Sequence, residues 1–343
     1  MKREWSNEAG VKQRSEREAL NGRCAGVLLR KWRKLKKNGV FFTVIAVIVV
    51  GFFLVSFGLF ASYRDVLRTS VLETRVFTMN NFIKNIDDDM ERSLYISGFR
   101  ALLSLVNDVV TTGVFVSNLS TQFSEVIYNG TINGTAQDLM QNNTLLYWTQ
   151  KIQEESAKIN LNTTIRVGSL LIDQSDPWMV LLTMEANVSI VDKDGAASWN
   201  VSRTVQARIP IEGFEDPFFV VKTGGLLSRK VFRTNLTLWN VTHLRTHLKN
   251  ETYLNNSNAP NFLLRLQGST AASNNGIETL IDTNDLIQVG ISVLNKTSVD
   301  YIYWSTNNPG HYGITGITNV DYPKFRLDSA HLSVYNVTNQ SYS

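Results

Sequence analysis

Residues 179–209 read MVLLTMEANVSIVDKDGAASWNVSRTVQARI. Val180, Leu182, Met184, Ala186, Val188 and Ile190 alternate with Leu181, Thr183, Glu185, Asn187 and Ser189. Successive strand side chains point to opposite faces, so the run predicts a strand with one apolar and one mostly polar face. Asp192-Lys193-Asp194-Gly195 supplies a turn, and the chain returns through Trp199 to Ile209. There Val201, Val205, Ala207 and Ile209 oppose Asn200, Ser202, Thr204, Gln206 and Arg208. The expected unit is an antiparallel hairpin with one wet face. Further strands are expected at residues 218–221, 262–266, 287–294, 299–304 and 332–337, and around Asn235.

Upstream the period is helical. Val76, Met79, Ile83, Ile86 and Met90 follow steps of three and four, which places them on one helix face. Leu94, Phe99, Leu102, Leu103, Val106 and Val110 continue the stripe. This face is expected to pack on the domain's own sheet or, in a stalk, against other subunits. Gly98 would permit close helix–sheet contact, and Arg100 is expected to meet a carboxylate. A loop is expected at 129–135, a second helix at 136–159 and a short one at 240–249. The fold class is therefore α+β: an N-terminal transmembrane helix continuing into a long helix, then a mainly antiparallel β-sheet ectodomain with short helices. The expected segments are a cytoplasmic basic tail or leader (1–38), a transmembrane helix (39–62), a helical membrane-proximal region (63–162) and a glycosylated extracellular domain (163–343).

The transmembrane reading rests on 26 consecutive uncharged positions from Asn38 to Tyr63. About 20 apolar residues cross the hydrocarbon layer. Residues 1–38 carry twelve Lys/Arg and four Asp/Glu, whereas the whole chain has a net charge of +4. The exterior part is thus acidic, and the basic flank reads as a cytoplasmic topology signal for contact with lipid headgroups. A tail this short, with one interleaved tryptophan, gives no reason to expect nucleic acid as a partner.

Fourteen N-x-Ser/Thr sequons follow, at Asn118, Asn129, Asn133, Asn142, Asn162, Asn187, Asn200, Asn235, Asn240, Asn250, Asn255, Asn295, Asn336 and Asn339. Chance would make sequons of only about five of the asparagines in that region. None of the seven from Asn7 to Asn107 is one. The excess predicts N-linked glycans on an exterior surface. Asn187 and Asn200 both fall on polar strand faces. The single cysteine, Cys24, is expected inside, so the exterior part must be stable without disulfides.

Catalytic patterns are thin. His243 and His247 are one helical turn apart, but Leu244 stands where a zinc protease needs glutamate, so two exposed histidines are expected. Asp87-Asp88-Asp89 reads as a solvated cluster, and Glu215-Asp216-Pro217 as a turn. Thr223-Gly224-Gly225 is a weak phosphate-loop signal. Trp178, Trp199, Trp239, Tyr301, Tyr303, Trp304 and Tyr312 could line a pocket, but read better as core. No catalytic, metal or cofactor-binding residue is expected, and no enzyme.

Lys36-Lys37-Asn38-Gly39 followed by Val40-Phe41-Phe42-Thr43-Val44 resembles archaeal type IV pilin-like amino termini. That resemblance implies cleavage between Gly39 and Val40 and a helix that anchors the precursor and packs a filament core. The exterior resembles an uncharacterised group of archaeal membrane-anchored surface proteins. The motifs are residues 91–101, 129–131, 214–218 (FEDPF), 276–278 (GIE) and 328–331 (DSAH). Glycosylation without disulfides suits an archaeal surface too. The function expected is a single-pass, N-in/C-out cell-surface glycoprotein. It would serve as a structural or interaction protein such as a pilin-like subunit or accessory component of a surface assembly, with the bilayer, glycans and copies of itself or other pilin-like subunits as partners. The alternative is an anchored binding domain for a small ligand or envelope partner.

Overall fold

The computed structural model describes residues 7–318 and 320–339, with side chains from residue 40 onward except 65–67. The basic tail, Cys24 and Gly39 lie outside the described side chains. The chain divides into two compact units, Met1–Phe77 and Thr78–Ser343. Helix α1 (Asn7–Thr112) contributes to both.

In the first unit α1 turns apolar side chains outward on every side: Phe57 is 75% exposed and Val47 71%. The helix is long and apolar enough there to cross a membrane. Water is a poor solvent for such a surface.

In the second unit α1 becomes amphipathic. Met79, Ile83, Ile86, Met90 and Leu94 are buried, and Leu102, Leu105, Val106 and Val109 continue the face. Of the expected packing stripe only Val76 stays exposed. The other four sit in one core with the sheet, so they are not left to contact another subunit. Helix α2 (Leu119–Asn129) follows, capped by Asn118, whose Oδ1 accepts from Thr121 N. A two-residue ladder, β1 (Thr131–Ile132) with β2 (Thr135–Ala136), occupies the expected loop. Helix α3 (Leu145–Lys158) begins later than expected, because Thr144 caps it through its hydroxyl.

The sheet has the antiparallel order β3-β4-β5, with β3 at Leu161–Asp176, β4 at Met179–Asp192 and β5 at Ser198–Pro210. Val180, Leu182, Met184, Ala186, Val188 and Ile190 are all buried, as the alternation requires. The turn closes at Gly195, with φ 75°, and Gly195 N bonds Asp192 O at 3.0 Å. Helix α1 covers the buried face. A Cβ on Gly98 would strike Leu182 Cδ1 and sit 3.0 Å from Ile209 Cδ1. Arg203 Nε bonds Asp87 Oδ1 at 2.8 Å, and Trp148 Nε1 donates to Asp89 Oδ2 at 2.7 Å. Arg100 meets the Leu139 carbonyl at 3.1 Å instead of a carboxylate.

After β5 the elements are short. They are α4 (Pro217–Lys222), α5 (Val241–Lys249), β6 (Leu254–Asn255), α6 (Phe262–Leu266) and β7 (Ile277–Glu278). Then come α7 (Thr283–Gln288), α8 (Asp300–Tyr303), β8 (His311–Tyr312), β9 (Leu327–Asp328) and α9 (Ser329–Val334). Four segments expected as strands thus form helical turns, 287–294 holds only the end of α7 followed by irregular chain, and the stretch around Asn235 lies outside any named strand. Side-chain caps account for most of the change. Asp216 receives Phe218 N at 3.0 Å, Asn261 receives Leu264 N at 2.9 Å, and Asp282 receives Asn284 N at 2.8 Å. Asp328 receives Ala330 N at 3.1 Å. A short apolar run has no period of its own, so the capping residue before it decides.

Replacing Gly98 by valine should destabilise the second unit by about 1–3 kcal/mol through overpacking against Leu182 and Ile209. Urea unfolding of the variant checks this; unchanged or greater stability would remove the close helix–sheet contact from the account.

Candidate functional site

All fourteen sequon asparagines are exposed. Of the ten other described asparagines between Asn118 and Asn339, only Asn258, Asn274, Asn307 and Asn308 are exposed. The two groups also use their amides differently. The six half-buried non-sequon asparagines all donate from Nδ2, for example Asn256 to Glu278 Oε2 at 2.6 Å and Asn275 to Gln174 O at 2.9 Å. Asn143, Asn160, Asn261 and Asn284 do likewise. All but one of the sequon side chains that bond to protein do so through Oδ1: Asn118 and Asn240 cap helices, and Asn187 accepts from Ser202 Oγ at 2.6 Å. Asn295 Oδ1 lies 3.1 Å from His311 Nε2. Among the described residues, Asn336 is the one sequon asparagine that spends Nδ2, on Trp239 O at 3.1 Å. Nδ2 is the atom that a glycan would occupy. Every sequon asparagine is thus exposed, and thirteen keep Nδ2 out of hydrogen bonds among the described residues, as do the four exposed asparagines outside the motif.

The second assembly of polar groups is buried. Arg265 is wholly enclosed, with Nη1 2.7 Å from Asp216 Oδ2 and Nη2 2.5 Å from Asp300 Oδ2. Nη2 also meets Ile277 O at 2.7 Å, and the guanidinium lies over the Phe218 ring at 4.8 Å. Tyr253 donates to Asp216 Oδ2 at 2.8 Å. Beside it, the His331 ring bridges two carboxylates, with Nδ1 2.7 Å from Asp328 Oδ2 and Nε2 3.1 Å from Glu278 Oε2. Tyr335 donates to Glu278 Oε1 at 3.0 Å. Gly276 makes the approach possible, since a Cβ there would strike the Ala259 and Asn256 carbonyls.

Burial alone would lower the His331 pKa, but its hydrogen bonds to the Asp328 and Glu278 carboxylates and their charges raise it to about 10. Burial, helped by Asp216, lifts Asp300 to about 6 against the pull of Arg265. His247 goes the other way, to about 3, through burial and the Arg229 charge. At neutral pH His331 is a cation and His247 is neutral. The network is thus a set of paired charges enclosed by protein, and its chemistry is holding chain segments together.

The sequence candidates distribute as follows. His243 and His247 do not converge: His247 is buried against Trp239 and Tyr335, correcting the expectation of two exposed rings, and His243 Nδ1 lies 2.7 Å from Leu238 O. Asp87 and Asp89 serve Arg203 and Trp148, so the aspartate run is tied into the fold instead of simply solvated. Asp216 is both a helix cap and an Arg265 partner. Thr223 ends α4, its hydroxyl donating to Phe219 O at 2.6 Å. Tyr301 and Tyr303 are core, Trp178, Trp199, Trp239 and Trp304 are half-buried, and Tyr312 is exposed. Among the described residues no group of three or more His, Cys, Asp or Glu is placed to hold a metal ion. Sequence reasoning gave no role to Arg265 or Asp300, and left Glu278 and His331 as motif positions. The signal available was charge inside otherwise apolar runs, as at Arg265 in FLLRL.

Two outcomes test the network. Arg265→Met should cost on the order of 3–5 kcal/mol at neutral pH, because it strands two buried carboxylates. Part of the loss should return at pH 5, where Asp300 takes up a proton. His331 has a folded pKa above its ordinary value, so its contribution is complete below about pH 6.5 and disappears as pH rises through about 10. Stability measured by denaturant should therefore fall between pH 7 and 10, and His331→Gln should flatten that slope; an equal slope in the variant would remove His331 from the account. Comparison with known proteins finds no family model, no curated protein and no solved structure that matches the chain.

Proposed function

We propose that this chain is a single-pass cell-surface glycoprotein, amino terminus inside, that displays its second unit outside as a structural or interaction component. The observation that carries the reading is the exposure of the sequons: all fourteen sequon asparagines are exposed, against four of the ten other described asparagines in the same region. The outward apolar side chains of α1 between Val40 and Phe60 support the anchor. The absence of cysteine from residues 40–343 suits an archaeal surface.

The assembling version of this reading is a pilin-like subunit cut between Gly39 and Val40. Its contacts with other copies come from the exposed apolar section of α1, because Met79, Ile83, Ile86 and Met90 are already occupied within the chain.

Mass spectrometry of the protein extracted from native membranes tests both levels. Glycopeptides are expected at most sequons, with Asn336 lagging because its Nδ2 is engaged. Bare asparagines throughout would sink the surface reading. A mature chain starting at Val40 is the outcome expected of the assembling version, and a retained leader overturns that version alone.

A further inference from the structure

Sequons are ordinarily acceptors in surface loops, yet Asn162, Asn187 and Asn200 lie inside the three-stranded sheet, and the last two face each other across one strand pair. In the β4–β5 register Asn187 stands opposite Ser202, and Ser189 stands opposite Asn200. Each sequon's asparagine thus lies across from the other sequon's hydroxyl residue. The pairing is physical as well as geometric, since Ser202 Oγ donates to Asn187 Oδ1 at 2.6 Å. Asn187 also pairs with Arg166 on the other side, because β4 is the central strand. These residues line a shallow concavity of about 540 Å³ on the wet face of the sheet.

Resting on the glycoprotein reading, we infer that Asn187 and Asn200 accept glycans only before β4 and β5 pair, so that transfer at these two sites precedes closure of the hairpin. Transfer forms a bond between the asparagine Nδ2 and the anomeric carbon of a lipid-phosphate-linked oligosaccharide. The carbon–oxygen bond to phosphate breaks, the lipid phosphate leaves with the bonding pair, and one amide proton goes to a base. The transferase must hold the asparagine and the hydroxyl two residues on in one cleft. In the closed sheet the Ser202 hydroxyl is given to Asn187, and the β4 backbone is bonded on both edges. Freeing β4 means opening the sheet, which belongs to the most protected part of a fold. Loop sequons lie outside this sheet. Asn133 sits at a turn with φ 49°, and Asn235 lies outside any strand, with Thr237 exposed beside it. Once attached, the two glycans leave the same face from diagonal neighbours roughly 7–8 Å apart.

The test uses the full chain made in a host without a transferase, folded in detergent, and exposed to a purified membrane transferase with its lipid-linked donor. Site occupancy is read by glycopeptide mass spectrometry and compared with that of the native protein. The native protein should carry glycans at all four of Asn133, Asn187, Asn200 and Asn235. The folded, unglycosylated chain should accept at Asn133 and Asn235 but at least roughly tenfold less at Asn187 and Asn200. A Met184→Pro chain, which keeps both sequons and breaks β4, should accept at all four. Equal transfer to all four sites of the folded chain overturns the inference. Native protein glycosylated at Asn133 and Asn235 but bare at Asn187 and Asn200 also overturns it, while leaving the surface reading in place. Native protein bare at every sequon removes both.

Discussion

Arg265 places its guanidinium, with no exposure to solvent, between carboxylates 49 and 35 residues away in the chain. Around it the backbone from Ile211 onward forms short helices and two-residue ladders, and the chain from residue 40 to its end contains no cysteine. Elements of this size cannot sustain themselves: a helix under three turns is marginal without tertiary partners. The polar contacts that join them run over long sequence distances. His331 reaches Glu278 across 53 residues, Tyr335 reaches Glu278 across 57, and Arg229 reaches the Leu280 carbonyl across 51. A buried ion pair offers little over a hydrophobic replacement of equal volume, but losing one partner is costly. The value of such a network is therefore specificity. It selects one arrangement of loops from many that would bury similar apolar area.

The sheet imposes a different constraint. Three antiparallel strands with one apolar face need a cover, and α1, α2 and α3 share the hydrophobic core that supplies it. Gly98 sets how closely α1 can lie, and Asp87 and Asp89 fix its register through Arg203 and Trp148. With that face covered, the opposite face is free to be polar. Asn162, Asn187 and Asn200 lie there, one on each strand. The polar, sequon-bearing face and the helix-covered face are two consequences of the same alternation.

That alternation was legible in the sequence because it persists for a dozen residues, longer than any accidental pattern. So were the turn at Gly195 and the short helix expected at 240–249, which begins at Val241 behind the Asn240 cap. What was not legible follows a physical rule. Runs such as residues 218–221 and 299–304 are shorter than either period can declare. Asp216-Pro217 gave the helical answer at the first through its cap, and Val299 offered no side-chain cap at the second. Nor could spacing reveal the buried network. Asp216, Arg265, Glu278, Asp300 and His331 have no fixed offset from one another, and only the folded backbone brings them together.

The same network shows why buried charge and perturbed pKa values need not mark an active site. A group that moves protons must change its charge near working pH and must touch a reactant. His331 is held at about 10 by two carboxylates, and His247 is held at about 3 by burial and Arg229, so neither ring titrates near neutrality. Asp300, at about 6, does lie in the useful range, yet it is fully buried with Oδ2 on Arg265 and Oδ1 on the Tyr301 amide. Each displacement has a structural cause that also closes the group to reactants. The surface tells the opposite story: its polar groups are exposed, and at thirteen of fourteen sequons the one nitrogen that modification requires makes no hydrogen bond among the described residues. The charge of this network is therefore enclosed by protein, whereas the sequon asparagines all face solvent.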